Sequence, residues 1–377
     1  MDYGLRRKGW FPAARRFYEE IGEVSNFPIA YVYAMFLAIS GHLIGRNCWF
    51  WYGRDLYPNH YICLVGPSGT SRKSTAMSLG DRAVKSALGD EWLPPLRQIT
   101  TSPGLLLHMQ NTGGHTMVVL DEIASVLTKS KRQDFAADLI ARLVELYDCP
   151  NFAGTHTRKD PIEVDEPFLT FVSGSTTDWL RRSLTTSDLM AGFGNRMSFV
   201  LGTPRKAHSL PRRMPTTIKV GWDRLLKFKG EIRMSDAAFD VWDDFYTKFE
   251  KFLNNPHNTP FVRVMSERIP EKILKAAIVA SVWAQTRLID DIIMEGSVDW
   301  GRYLHNCVKE VAPSFEETER QLMAFLHSKG GEATKQDIDT EFGHRIASRK
   351  LRDAIDQLQW LGLIHKPDGN IISVKED

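Results

Sequence analysis

The chain has 377 residues, of which 43% are hydrophobic and 25% charged, and its formal net charge is +2. This composition is typical of a globular protein of two or three domains, and the small net charge means that any nucleic-acid affinity must come from local basic patches. The cysteines show no C-x-x-C spacing, which argues against a zinc site or a disulfide framework and predicts a reducing, cytoplasmic setting. They are Cys48, Cys63, Cys149 and Cys307.

Residues 1–55 predict a helical region that ends in an aromatic segment. The basic N-terminus lacks the apolar segment and cleavage site of a signal peptide. The apolar stretch 28–45 approaches the length of a membrane-spanning helix, but it contains polar residues and no second span accompanies it. We therefore expect a buried core helix and no membrane partner. The aromatic residues 49–52 could stack on nucleic-acid bases, but core packing is the commoner use and is favoured.

A strand, a glycine-rich turn and a helix start follow one another over residues 60–79. The apolar run Tyr61–Val65 predicts the strand, and the helix is predicted over 74–88. Such a turn holds phosphate, because backbone N–H groups and the helix dipole attract anions while a lysine and a hydroxyl reach the phosphates and Mg²⁺. The predicted nucleotide-binding residues of the turn are Gly66, Pro67, Ser68, Gly69, Thr70, Ser71, Arg72, Lys73, Ser74 and Thr75.

The spacing of this turn departs from the P-loop template G-x-x-x-x-G-K-[ST]. Counted forward from Gly66, the template places Ser71, Arg72 and Lys73 at its last three positions. Counted backward, Lys73 and Ser74 take the lysine and hydroxyl positions, with one residue inserted and Arg72 in place of the second glycine. We prefer the second alignment, since it keeps a lysine followed by a hydroxyl. Lys73 then contacts the phosphates and Ser74 the Mg²⁺, while Arg72 either adds a second cation or points outward.

Two carboxylates follow a later predicted strand. Residues 95–110 first predict a short strand and a helix capped by Ser102. The wholly apolar run before Asp121 and Glu122 predicts a strand buried on both faces, and its C-terminal end is where ligands bind in open α/β sheets. This is a Walker B pattern, in which Asp121 holds Mg²⁺ through water and Glu122 is the general base. The alternative is a strand that ends in two solvated acids.

Further elements complete the predicted core. A helix at 132–147 leads to a hairpin predicted over 151–167, whose tip is basic. The strand predicted at 168–172 opens into a Ser/Thr-rich loop, where Ser175, with Thr176 as the second choice, is expected to sense the γ-phosphate. The same loop could instead cap the following helix. The basic residues predicted to contact nucleic acid at the hairpin tip are His156, Arg158 and Lys159.

Arg196 lies directly before another apolar strand. An arginine at this point can reach the nucleotide of a neighbouring subunit, and an intrachain salt bridge is the alternative. After a Pro-rich, basic connector at 204–215, amphipathic helices at 235–252 and 270–289 predict an all-helical subdomain. From this subdomain, Arg268 and Lys275 could reach a nucleotide as part of a lid.

The segment 313–377 has a pattern of its own. Helices are predicted at 315–327, 334–342 and 348–361, and an Asp-Gly turn within 367–370 indicates a β-hairpin. This is the order of a winged helix-turn-helix, which places its third helix in the DNA major groove but also serves as a protein-docking module. The predicted DNA-contacting residues of the third helix are Arg349, Lys350 and Arg352.

Several short motifs carry a resemblance to a known family. The chain resembles the P-loop helicase-like family found beside primases in phages, plasmids and other mobile elements, and its layout is similar to that of the minichromosome-maintenance helicases. The motifs are Trp10-Phe11-Pro12, Leu56-Tyr57-Pro58-Asn59, Val119-Leu120-Asp121-Glu122, Leu146-Tyr147-Asp148, the segment 192–201 and Ser235-Asp236-Ala237-Ala238.

The resemblance implies an α/β protein with an AAA+/RecA-like P-loop ATPase core that uses ATP and Mg²⁺ and forms a hexamer-like ring on DNA. The expected regions are a helical N-terminal region 1–55, the core 56–205, a helical lid 206–312 and the winged helix 313–377.

The resemblance also implies roles for single residues. Arg196 matches a trans-acting arginine, Arg268 a sensor arginine of the lid, and Arg158 with Lys159 a hairpin that lines a central DNA pore. No primase or polymerase domain accompanies the core, so priming is expected to need a separate protein.

Three functions are compatible with these patterns. The leading hypothesis is an ATP-driven DNA helicase or translocase that acts on single-stranded or forked DNA, as a ring, in the replication of a phage or mobile element. The first alternative is an ATP-hydrolysing loader or DNA-remodelling switch without unwinding. The second is a non-hydrolysing DNA-binding scaffold that acts through the winged helix. The intact pair Asp121-Glu122 counts against this scaffold, whereas the irregular loop leaves it open as an alternative.

Overall fold

The computed structural model describes residues 5, 10–21, 26–89, 92–123, 126, 134–155, 161–183, 192–202, 221–255, 260–312, 317–360 and 362–374. Within these residues the protein is of mixed α/β class and contains parallel and antiparallel strand pairs. The predicted hairpin tip with His156, Arg158 and Lys159 lies outside the described residues, as does the connector predicted at 204–215.

The helices and strands are numbered in chain order. The first are α1 (Pro12–Ile21), α2 (Ile29–Ile44), β1 (Cys48–Trp51) and β2 (Asp55–Leu56). They are followed by β3 (Tyr61–Val65), α3 (Lys73–Leu88), α4 (Ser102–Asn111), β4 (His115–Leu120), α5 (Asp134–Tyr147), β5 (Phe152–Thr155), β6 (Ile162–Asp165), β7 (Phe168–Ser175), α6 (Thr177–Ser183), α7 (Phe193–Arg196) and β8 (Ser198–Leu201). Next come α8 (Asp223–Lys227), β9 (Gly230–Met234), α9 (Asp236–Leu253), α10 (Pro260–Ser266), α11 (Ile269–Trp283), β10 (Leu288–Ile289) and α12 (Asp291–Val311). The last are α13 (Glu317–Ser328), β11 (Glu332–Thr334), α14 (Lys335–Phe342), α15 (Ser348–Trp360), β12 (Ile364–Asp368) and β13 (Ile371–Val374).

A parallel sheet with the strand order β4-β7-β3-β8 forms the centre of the protein. The strands β3, β7 and β8 are buried along their whole length, which explains why they are almost continuously apolar. The register pairs Val65 with Ser175 and Leu120 with Ser173. The C-terminal ends of β3, β7 and β4 therefore lie at one edge of the sheet, as the sequence predicted for the loop and the acids.

Three local predictions in this region were wrong. The short strand predicted near residue 96 is only an isolated parallel bridge between Leu96 and Val118. The cap of α4 is Thr101, whose backbone is extended and whose hydroxyl accepts a hydrogen bond from Gly104 N at 3.2 Å, whereas Ser102 is the first helical residue. The strand β7 does not stop before the Ser/Thr-rich stretch but continues to Ser175, because β3 pairs with it up to that residue.

The helix α2 lies inside the protein, where it packs against the central sheet and against the helices α3 and α11. In the part of the chain that the structure describes, residues 29–47 form one helical stretch long and apolar enough to cross a membrane, and 89% of that stretch is buried inside the protein. The Tyr31 hydroxyl donates a hydrogen bond to Val65 O at 2.6 Å, which ties α2 to the end of β3. The expectation of a buried core helix is confirmed.

A second sheet joins the N-terminal region to residues 230–289. Its strand order is β10-β9-β1-β2, and β1 runs parallel to β9 with Phe50 opposite Ile232. The prediction of an all-helical subdomain over 206–312 is therefore wrong, because β9 pairs with β10 and also with β1, a strand from a distant part of the chain. In β1, Phe50 packs against the core but Trp51 is 61% exposed, so core packing holds for only part of the aromatic segment.

The elements from α13 to β13 pack around an apolar cluster of their own. The helices α13, α14 and α15 lie within two residues of their predicted bounds, and β12 and β13 form the predicted hairpin. The short strand β11 was not predicted, and it pairs with β13 to give the sheet order β11-β13-β12. The buried residues of this cluster are Leu322, Leu326, Ala333, Ile338, Phe342, Leu351, Ile355, Leu358, Ile364 and Ile372.

Candidate functional site

The loop after β3 begins inside the core and ends at the start of α3. The Gly66 N–H donates a hydrogen bond to Ser175 O at 3.1 Å, which ties the loop to the end of β7. A Cβ atom at Gly66 would lie 2.5 Å from the Tyr31 hydroxyl oxygen and 2.8 Å from Ser71 Cβ, so a larger residue does not fit. Residues 67–70 are exposed, and the chain returns into the protein at the buried Ser71.

Arg72 is the last residue before α3, and its backbone is left-handed, with φ 55° and ψ 36°. Glycine adopts this conformation most easily, and a glycine stands at this position in the template aligned on Lys73. The helix begins at Lys73, and no side chain caps its N-terminus. The N–H groups of the first turn, which includes Ser74 and Thr75, therefore have no capping side chain, and the helix dipole favours an anion beside them.

The Lys73 ammonium folds back onto the loop. Its Nζ donates a hydrogen bond to Gly66 O at 2.7 Å and lies 3.3 Å from Ser71 Oγ, which itself donates to Pro67 O at 2.6 Å. Burial lowers the pKa of Lys73, and the negative charge of Glu122 opposes that shift. The loop thus positions a cation beside the start of α3, within electrostatic reach of the Glu122 carboxylate.

Asp121 and Glu122 directly follow β4, and both side chains reach solvent. The chain after them is held in place because the Ile123 N–H donates a hydrogen bond to Gly174 O at 2.9 Å. Partial burial raises the pKa of Glu122, while the Ser175 hydroxyl and the Lys73 ammonium oppose this shift. A raised pKa suits a general base, since general bases work best when their pKa lies near the operating pH.

Ser175 is the last residue of β7. This strand lies between β3, which leads into the loop, and β4, which leads to Asp121 and Glu122. The Ser175 side chain is fully buried, and Oγ has no hydrogen-bond partner of good geometry, although it lies close enough to the Glu122 carboxyl to lower its pKa. Adjacent strands are about 4.8 Å apart, so the ends of β3 and β4 are separated by about 10 Å with Ser175 between them. Thr176, the second choice for a sensor, instead caps α6 by accepting a hydrogen bond from Trp179 N at 3.2 Å.

Gly174 also shapes this edge, although sequence reasoning did not single it out. A Cβ atom at Gly174 would lie 2.6 Å from Asp121 O and 3.6 Å from Lys73 Cδ. The missing side chain therefore allows the chain after β4 and the Lys73 side chain to approach β7 closely. A glycine in a strand interior is a sequence signal of such a close approach, but here it lies between Ser173 and Ser175, in a stretch that the sequence assigned to a loop.

Arg196 and Arg268 lie together, but they lie where β8 begins, at the end of the sheet away from the loop. Their guanidinium groups contact the Asp148 carboxylate at 2.6 and 3.3 Å, so the intrachain salt bridge considered for Arg196 is formed. Arg196 precedes β8, and β8 pairs with β3 from Ile62 onward, which places this cluster about 16 Å along the strand from the loop. Neither arginine reaches the loop of its own chain. Asp148 and Arg54, which complete the cluster, were not predicted as site residues.

The basic residues predicted to contact DNA in the C-terminal segment share the solvent side of α15. The side chains of Arg349, Lys350 and Arg352 are exposed, whereas Leu351 and Leu358 point into the apolar cluster. The strands β5 and β6 form the antiparallel pair predicted for the basic hairpin, whose tip lies outside the described residues. The structure thus offers a basic helix face on this segment.

The predicted metal ligands provide oxygen donors only. Among the described residues, no group of three or more His, Cys, Asp and Glu side chains is arranged around a common point. Mg²⁺ commonly binds proteins through one or two carboxylates and keeps waters and substrate phosphate oxygens as its other ligands. The Asp121 carboxylate and the Ser74 hydroxyl fit a site of that kind.

No protein-family model matches the chain, and no curated protein matches it in sequence. The functional argument therefore depends on the geometry of the sheet edge and on the residues of the chain itself.

Proposed function

We propose that the chain is a Mg²⁺-dependent ATPase with a P-loop core of the AAA+/RecA-like class and a C-terminal winged helix. The observation that carries the proposal is the meeting of Lys73, Glu122 and Ser175 at the edge where three parallel strands end. A strand inserted between the loop strand and the acid strand is expected of P-loop ATPases with an additional strand. The left-handed backbone of Arg72 supports the same assignment, because glycine adopts this conformation most easily and the template has a glycine at this position.

Each residue of this edge has a defined role in the proposal. Lys73 and the first-turn N–H groups of α3 bind the phosphates of ATP. Ser74 and Asp121 would hold Mg²⁺, which supplies positive charge to the phosphate oxygens when bound. Glu122 orients a water molecule and accepts its proton as the water oxygen bonds to the γ-phosphorus, and the breaking P–O bond leaves its electron pair on ADP. Ser175 donates a hydrogen bond to the transferred group.

We further propose that ATP hydrolysis moves DNA through a ring of identical chains in a replication system. The order of α13, β11, α14, α15, β12 and β13 corresponds to a winged helix, and its exposed basic face suits a phosphate backbone. Arg196 and Arg268 lie opposite the loop, which favours action on the nucleotide of a neighbouring copy. When identical chains contact one another through two different surfaces, they form a ring if the rotation from one chain to the next adds up to a full circle. A separate primase and a cytoplasmic setting complete the proposal.

The substitution Glu122→Gln tests the ATPase, because it removes the base but keeps the shape of the side chain. We expect ATP hydrolysis to fall by roughly 100-fold or more. The affinity for a fluorescent ATP analogue should stay almost unchanged, whereas Lys73→Ala should weaken that affinity itself. Wild-type protein that binds no ATP would contradict the proposal.

Strand separation tests the further proposal of a helicase. Wild-type protein with ATP and Mg²⁺ is expected to separate a forked DNA duplex, and the Glu122→Gln variant is not. Hydrolysis that is stimulated by DNA but never accompanied by strand separation would favour a loader or remodelling switch.

A further inference from the structure

The charged cluster opposite the loop is built around one carboxylate. Asp148 Oδ1 accepts a hydrogen bond from Arg54 Nη2 at 2.6 Å, and Oδ2 accepts one from Arg196 Nη2 at 2.6 Å. Arg268 Nη1 lies 3.3 Å from Oδ1 and pairs with Glu271 at 2.8 Å. Three guanidinium groups from three distant segments of the chain thus converge on a single side chain.

This cluster holds more positive than negative charge. Its three guanidinium groups are permanently charged, and they face the two carboxylates of Asp148 and Glu271. The side chains of Arg54 and Arg268 keep 38% and 23% of their surface exposed. An anion from outside the chain can therefore reach two of the three guanidinium groups.

Two buried polar groups of the cluster lack a partner. Arg196 is 8% exposed, yet its Nε makes no hydrogen bond to another described residue, and the same holds for the hydroxyl of Tyr147. The Tyr147 ring contacts a cation, because Lys275 Nζ lies 3.7 Å from the ring centre. Buried donors without acceptors are costly, so the cluster has donor capacity that Asp148 does not use.

Asp148 itself behaves as a bound anion. Burial alone would raise the pKa of Asp148, but the hydrogen bond from Arg196 and the charges of Arg268 and Arg54 hold it below its usual value. The carboxylate is therefore ionised at neutral pH. Without it, three guanidinium groups would share the single carboxylate of Glu271 in a partly buried place, and they would separate.

We infer that Asp148 occupies an anion site, and that a phosphate group replaces its carboxylate on Arg54, Arg196 and Arg268. Asp148 is then a positioning residue that keeps the arginines assembled until the phosphate arrives. The phosphate belongs to ATP on the loop of a second copy of the chain, because loop and cluster lie at opposite edges of one sheet and do not meet within a chain. This source of the phosphate rests on the proposed function, whereas the exchange of anions does not.

Melting temperatures with inorganic phosphate test the exchange. All variants carry Lys73→Ala, so that phosphate bound at the loop does not contribute. Adding Asp148→Asn leaves the three arginines with Glu271 as their only carboxylate among the contacts described above, and we expect the melting temperature to fall by roughly 5 °C. Millimolar phosphate at constant ionic strength should restore most of this loss, and it should change the melting temperature of the Lys73→Ala protein much less.

Two further variants make this test specific. Adding Arg196→Ala to the Asp148→Asn protein should abolish the response to phosphate, because the most buried donor is gone. The matched control Asp244→Asn removes an exposed carboxylate paired with Lys248 and should give no phosphate-specific response. If chloride restores the Asp148→Asn protein as well as phosphate does, the stabilisation is general screening and the inference is overturned.

A mixing experiment tests whether the phosphate comes from a second copy, without relying on Asp148 variants. Arg54→Ala changes an exposed member of the cluster, and we expect it to bind ATP but to hydrolyse it roughly tenfold or more slowly. Lys73→Ala keeps the cluster but lacks a working loop. An equal mixture should hydrolyse ATP several-fold faster than the two proteins measured separately and added together.

The outcomes of the mixing experiment are separable from those of the proposed function. A mixture no faster than the sum of its parts overturns the assignment of a second copy as the source of phosphate. Wild-type protein that fails to bind ATP overturns the proposed function instead, and the anion exchange can still be judged from the melting temperatures with inorganic phosphate.

Discussion

At the scale of single residues, Arg72 shows how the loop accommodates a residue that its template excludes. A non-glycine residue in the left-handed region is strained by roughly 1–2 kcal/mol. The conformation persists because the neighbours of Arg72 are fixed: Ser71 is buried and bonded to Pro67 O, and Lys73 reaches back to the loop carbonyls. The Arg72 side chain is exposed, so the residue combines the backbone of a glycine with an outward-facing cation.

The substitution Arg72→Gly tests the strain. Glycine removes the backbone strain, but it also stabilises the unfolded chain by roughly 0.4–1 kcal/mol. Because the strain removed is larger, we expect the free energy of unfolding in urea to rise slightly. ATP affinity should stay within about twofold, because Lys73 is the cation held in the loop. The control Arg72→Lys keeps both the strain and a positive charge. A large loss of affinity in Arg72→Gly alone would show that Arg72 is a second phosphate-binding cation.

His60, buried before β3, predicts a pH dependence of stability. Burial, and then the charges of Lys275 and Lys272, lower the pKa of His60 to about 3. An unfolded chain protonates this histidine below about pH 6.5, whereas the folded protein keeps it neutral, so stability falls as pH decreases from 6.5 toward 3. His60→Gln should reduce that slope by about 1.4 kcal/mol per pH unit in urea titrations. The exposed His344→Gln is the control, and equal slopes in both variants would contradict the prediction.

At the scale of elements, local sequence patterns predict single helices and strands better than they predict which strands pair. The strands β3 and β4 and the helix α3 were predicted almost to the residue, because an uninterrupted apolar run or a turn followed by an amphipathic stretch is a local signal. The pairing of β1 with β9 could not be predicted, since about 180 residues separate the two strands and the sequence of a strand does not specify its neighbour in the sheet.

The same distinction applies to the candidate site. Lys73, Asp121 and Glu122 follow strands in recognisable patterns, and parallel pairing brings them to one edge. The cluster around Asp148 joins residues 48 and 120 positions away, and such ion pairs leave no periodic trace in a sequence.

Gly174→Ala tests the close packing of β7 against the chain after β4. The added Cβ would lie 2.6 Å from Asp121 O, so β7 or Asp121 must shift. We expect a loss of stability of roughly 1–3 kcal/mol and a larger loss of ATP hydrolysis than of ATP binding. Gly369→Ala is the matched control, because nothing lies within 4 Å of its added Cβ. Wild-type ATP hydrolysis by Gly174→Ala would show that the edge does not depend on this approach.

At the scale of the whole molecule, the central sheet and the helix α15 belong to two different apolar clusters. Changes on α15 should therefore affect DNA contacts without altering the loop. Replacing Arg349, Lys350 and Arg352 together by Glu should weaken DNA binding roughly tenfold or more at low salt and flatten its salt dependence. ATP hydrolysis without DNA should stay unchanged.

A charge-matched control makes the α15 prediction specific. Arg233, Lys248 and Arg302 are exposed basic residues on other elements, and replacing all three by Glu changes the net charge equally. An equal loss of DNA binding in both triple variants would indicate general electrostatics. No loss in the α15 variant would assign this segment to protein docking.

The burial of α2 also constrains how the chain folds during synthesis. This apolar helix leaves the ribosome before β3, β7, β8 and α11, all of which pack against it. Until residue 283 has been made, the surface of α2 that packs on α11 has no partner. Contacts so distant in sequence form slowly, and intermediates with exposed apolar surface aggregate. We expect nascent chains to depend on chaperones at this helix, the segment that composition alone makes resemble a membrane span.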